Sequence, residues 1–222
     1  MSVRASDAGA LHSGIAIEWW SIGWMLVEAA VSVAAGIAAS SVALVAFGAD
    51  SLIELVSAGV LLRRLRVEQL GGCASEVQAA ERRASGVVGV LLFLLAAWVV
   101  GSALRDLLMH ARPESSPVGL AMAAASTLVM PWIVSNKRRV AESIGSAALR
   151  ADAACGVTCA YLAGTLLAGL GLRAVFGWWW ADPLAALGIV YFVVREGREA
   201  VMAARGRVDR RLPGDRPSPR KW

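Results

Sequence analysis

Six apolar runs, five of them near or above the ~20 residues that a bilayer crossing requires, make up more than half of this 222-residue chain. They cover roughly residues 17–38, 41–62, 85–109, 118–136, 151–176 and 182–194. No stretch is left that could build a soluble domain of ~100 residues. Hydrophobic residues make up 57% of the chain, above the about 45–50% of an ordinary soluble domain. The sequence therefore predicts an all-α membrane protein, a bundle of six transmembrane helices. Residues 1–16 read as a polar amino-terminal tail, 17–205 as the six-span domain, and 206–222 as a basic, disordered tail. The tail at 1–16 lacks the basic start, short apolar core and cleavage site of a signal peptide.

The net charge of +5 does not point to nucleic acid, because the basic residues sit in short segments flanking apolar runs. Most lie in 63–83, in 137–150 and after 205, while the turns near 39, 112 and 178 hold few. By the positive-inside rule both termini are cytoplasmic, in a multi-pass protein of the cell (plasma or inner) membrane. Trp19, Trp20 and Trp24, and again Trp178 to Trp180, suit the headgroup level, and Glu18 is placed to reach that interface. Three cysteines, two of them inside an apolar run, make no disulfide framework. Cys73 reads as an ordinary thiol, and His12 and His110 as surface residues.

Acids inside the apolar runs carry the functional signal. Asp50 and Glu54 lie in the second run, where each acid costs roughly 2.5–3.5 kcal/mol on insertion scales. Their i, i+4 spacing puts both on one helix face, which reads as a cation site or a proton relay. Glu28 is a third intramembrane acid, either a proton carrier or a partner for a polar group on a neighbouring helix. In the fifth run Asp152, Cys155 and Cys159 fall at i, i+3 and i+7, one helical stripe. Glu54 and Cys159 each lie about nine residues, ~13 Å, from the cytoplasmic ends of their antiparallel spans. Two carboxylates and two thiols at matched depth form a tetrahedral O2S2 set that Zn2+ accepts and that soft Cd2+ also suits. Binding would release thiol protons, a physical basis for exchanging metal against protons. Asp152 is either a residue of the helix start, favoured by the dipole, or a group on the metal's path. Asp182, before Pro183, reads as the cap of the sixth span. No nucleophile–base pair and no cofactor motif occurs, so neither an enzyme nor a tightly bound cofactor is expected.

Three blocks carry a resemblance. The pattern Ala46-Phe47-Gly48-Ala49-Asp50-Ser51-Leu52-Ile53-Glu54, the opening Arg150-Ala151-Asp152 of span five, and Ala181-Asp182-Pro183-Leu184-Ala185-Ala186-Leu187-Gly188-Ile189 are similar to the cation diffusion facilitators. The resemblance covers about residues 17 to 205. It implies six spans, a homodimer, and proton-coupled export of a divalent metal from the cytosol: Zn2+ first, with Cd2+, Co2+, Fe2+ or Mn2+ as alternatives. The family's acidic pair on span two falls on Asp50 and Glu54. Its His or Asp pair on span five falls on Cys155 and Cys159. The chain departs from the family pattern in that cysteine pair, in Glu54 where Asp is usual, and in lacking the large cytoplasmic carboxy-terminal domain. It thus resembles a short, divergent branch. A rival reading is a non-transporting metal-binding or regulatory membrane protein on the same scaffold. An intramembrane enzyme or redox protein using the two thiols is a third.

Overall fold

A computed structural model describes residues 2–70, 75–110, 114, 116–143 and 147–205. Among them are six helices and no strand: α1 (Ser2–Ala39), α2 (Val42–Gln69), α3 (Ser75–Leu108), α4 (Pro117–Ser143), α5 (Ala147–Phe176) and α6 (Ala181–Ala204). The first five are long and apolar enough to cross a membrane. Such helices satisfy their backbone polar groups internally, as lipid demands. The sixth gathers Arg195, Glu196, Arg198 and Glu199 in its second half, which shortens its apolar part. Helix α1 begins at Ser2, so residues 2–16, read from the sequence as a polar tail, are the first turns of a helix. Cys73 and the 206–222 tail lie outside the described residues.

The helices pack most extensively as three pairs, α1 with α2, α4 with α5, and α3 with α6. Helix α2 also touches α3, α5 and α6, so its acids face several partners at once. The α1–α2 turn is tight because Ser40 takes a left-handed conformation, φ 53°. Its N–H bonds the Ile37 carbonyl at 3.2 Å, and the Ser41 N–H bonds the Gly36 carbonyl at 2.9 Å. This is the Schellman arrangement, which satisfies carbonyls left free at a helix end. Below the turn, a Cβ on Gly48 would stand 2.8 Å from the backbone nitrogen of Val33. Only glycine there allows α2 to lie so close to α1.

At the same end of the bundle Asp182 corrects the sequence reading. Helix α6 is preceded by Trp180 and receives no side-chain cap. Asp182 instead caps α2: it accepts a hydrogen bond from Ser41 Oγ and another from the Ala43 N–H at 3.4 Å. Ser41 Oγ in turn accepts the Leu44 N–H at 3.2 Å. A carboxylate buried at the positive end of the α2 dipole is favourably placed, and it fastens the start of α6 to the start of α2.

The surface and interior are inverted relative to a soluble protein. Val90, Leu94, Trp98, Leu128, Trp132 and Tyr191 are exposed, whereas Glu18, Glu28, Asp50, Glu54 and Lys137 are buried. An apolar belt of that extent suits lipid, and the interior is where the charge chemistry sits.

Candidate metal centre

One turn of α2 presents Asp50 and Glu54 toward α5, where Cys159 packs beside Met130 and Ile133. One donor atom from each of Asp50, Glu54 and Cys159 lies within 4.8 Å of the other two. These residues are 1%, 8% and 1% exposed. The Cys159 thiol donates to Glu54 Oε2 at 2.6 Å. Both Asp50 carboxylate oxygens and Glu54 Oε1 are buried without any hydrogen-bond partner. Buried carboxylate oxygens left unpaired are costly. Three convergent donors with free oxygens therefore suit a cation that arrives from elsewhere. Two carboxylates and a thiol are within the repertoire of Zn2+, and the sulfur extends it to softer ions.

The other expected residues take different places. Cys155 is outside the three-donor group. It is half-buried one turn away, on the wall of an adjoining cavity that Glu54, Asp152 and Glu196 also line. Glu28 is fully engaged: its carboxylate accepts from Ser51 Oγ at 2.6 Å, from Ser126 Oγ at 2.5 Å and from Trp24 Nε1 at 3.1 Å. It knots α1, α2 and α4 together directly beside Asp50. Asp152 pairs with Lys137 Nζ at 2.5 Å.

That lysine also lies 2.9 Å from Glu18 Oε2, and both Lys137 and Glu18 are buried. Sequence reasoning placed Glu18 at the interface and Lys137 at the end of span four; the two are joined instead in an interior ion network spanning α1, α4 and α5. A signal for it was present. Glu18, Ser21, Met25, Glu28 and Ser32 recur at three- and four-residue steps, one helical face, and all five are buried. Glu196 lies beyond the apolar run at 182–194, yet it faces the same cavity as Glu54. His110 stacks on Trp179 with ring centroids 4.9 Å apart, away from the centre.

Comparison with known proteins concerns the chain as a whole. The sequence profile of the cation efflux transmembrane domain matches residues 19–205. An uncharacterized transporter of Synechocystis sp. is 29% identical to this chain over 183 residues. The match takes in 80% of the chain and 58% of that relative, so the chain spans less than two thirds of the relative's length.

Proposed function

The chain belongs to the cation efflux family, and from that premise we propose that it exports divalent metal ions from the cytosol, Zn2+ foremost, in exchange for protons. The observation that carries this reading is the buried convergence of Asp50, Glu54 and Cys159. Asp50 and Glu54 supply the hard, anionic part of the shell. Cys159 supplies a thiolate once its proton has left.

The proton exchange follows from the donors themselves. A thiol must lose its proton to bind a metal, and a buried carboxylate without a positive partner is stable only when protonated or metal-bound. Metal and protons thus compete for the same three groups, and a protein that opens this site alternately to each face moves the two in opposite directions. The end of the bundle with Arg63, Arg66, Arg138 and Arg139 is the cytoplasmic one in this reading, as the positive-inside rule assigns it. The cavity beside Cys155 lies toward that end, so it is the side from which metal arrives. The protein resides in the cell membrane, and the family resemblance supports a homodimer.

The experiment is zinc flux into proteoliposomes with luminal pH recorded in parallel, comparing the native chain with Asp50→Asn. Saturable zinc entering with proton counterflow, lost in the variant, is the expected result. Zinc binding without flux in folded native protein would overturn transport and leave a metal-binding or regulatory membrane protein.

A further inference from the structure

Beside the three-donor cluster lies a cavity of about 50 Å3, enough for one or two water-sized occupants. Its wall brings together Glu54 of α2, Asp152 and Cys155 of α5, Lys137 of α4 and Glu196 of α6. Glu54 belongs to both places. Its Oε2 accepts the Cys159 thiol, while its Oε1 is buried with no hydrogen-bond partner. Glu196 Oε2 is likewise buried and unpartnered, and the Cys155 thiol lines the same small cavity. The one lysine on the wall does not neutralise these groups, because Glu18 and Asp152 already hold it at 2.9 Å and 2.5 Å. The cavity therefore carries an excess of negative donors, with a sulfur among them.

We propose that this cavity is a second, transient metal station, in which Cys155 and Glu196 hold the ion before it passes to Asp50 and Cys159, with Glu54 shared between the two positions. The proposal rests on the reading of the Asp50–Glu54–Cys159 cluster as a metal site. It gives Cys155 a place of its own and brings α6 into the metal's path. A desolvated divalent ion moving through apolar packing needs closely spaced donors, and conduction is fastest when no single position binds too tightly. A carboxylate common to two adjacent donor sets lets the ion change partners without returning to water. Binding at the station removes the thiol proton of Cys155, which leaves to solvent.

Cd2+ is the probe, because its bonds to thiolate give an ultraviolet charge-transfer band that reports sulfur ligation directly. In the purified chain carrying Cys73→Ser, the further change Cys159→Ser leaves Cys155 as the sole thiol, and Cys155→Ser leaves Cys159. The expected result is a cadmium–thiolate band in both. In the Cys159→Ser chain, Glu196→Gln then weakens cadmium binding at least ~10-fold, as loss of a supporting carboxylate does, while Glu196→Asp stays near its parent. Helical circular dichroism reads the folding of each variant independently of metal. A Cys159→Ser chain without the band, or any other ordering of the Gln and Asp variants, overturns the station. If the Cys155→Ser chain still shows its band, the deeper site stands alone; if both bands are missing, the cluster itself is not a metal site.

Discussion

The Cys159 thiol donates to Glu54 Oε2 across 2.6 Å, joining α5 to α2 between residues 105 positions apart. No comparable contact reaches Asp50, whose two oxygens stay unpartnered although the residue is 1% exposed. The thiol and the two acids thus stand in unequal states before metal arrives, and this inequality sets the outcome of substitutions.

In the proposed site Asp50, with both oxygens unpartnered, is the donor with the most to offer an incoming ion. Asp50→Asn should lower Zn2+ affinity at least ~10-fold, the scale seen for loss of groups that support a metal site. Cys159→Ser exchanges a soft sulfur for a hard oxygen, and should lower Cd2+ affinity by more than Zn2+ affinity. Isothermal titration with both metals checks the pair; equal losses for the two ions after Cys159→Ser would show that sulfur is not a ligand.

Acidity should weaken metal binding. In the proposed exchange, the donors hold protons when no metal is bound and must release them to the metal. Fewer are available as pH falls, so apparent affinity drops by about one decade per pH unit for each proton displaced. Zinc isotherms between about pH 6 and 8, repeated in buffers of different ionisation enthalpy, give the slope and the proton count. A flat profile would mean that the bound state displaces no proton.

Lys137 should matter for folding more than its position near a helix end suggests. It is 4% exposed and the shared partner of Glu18 and Asp152. Lys137→Met leaves the buried Glu18 and the part-buried Asp152 facing each other without their cation, and removal of one member of a buried pair costs about 3–5 kcal/mol. Adding Glu18→Gln and Asp152→Asn should restore most of the loss, since no uncompensated charge then remains. Thermal unfolding in one detergent measures both steps.

Asp182 should behave as a cap of α2. Asp182→Ala removes the acceptor for Ser41 Oγ and for the Ala43 N–H, at about 1–2 kcal/mol, whereas Asp182→Asn keeps an acceptor and costs less. Hydrogen exchange should show where the loss falls: protection should drop in the first turn of α2, not in α6. Loss confined to α6 would restore the reading drawn from sequence.

Much of this was legible in the chain itself because it is local. A run of ~20 apolar residues can cross lipid only with its own backbone bonds satisfied, so six runs amount to a helix bundle. The 3.6-residue period puts Asp50 above Glu54, and Cys155 on the stripe of Cys159, in any environment. What no period contains is how far each helix is rotated and slid against its neighbours. Cys155 and Cys159 are ~6 Å apart along α5, so at one axial offset of α5 against α2 only one thiol meets the acids. The same packing turns Glu196 inward, carries Lys137 to Glu18 and aims Asp182 at a helix that begins 140 residues earlier. The sequence by itself determined that the chain is a bundle of apolar helices with Asp50, Glu54, Cys155 and Cys159 inside their spans. Which of them meet was decided by the tertiary structure, because contacts between helices depend on side-chain fit across the whole bundle and not on spacing within any one of them.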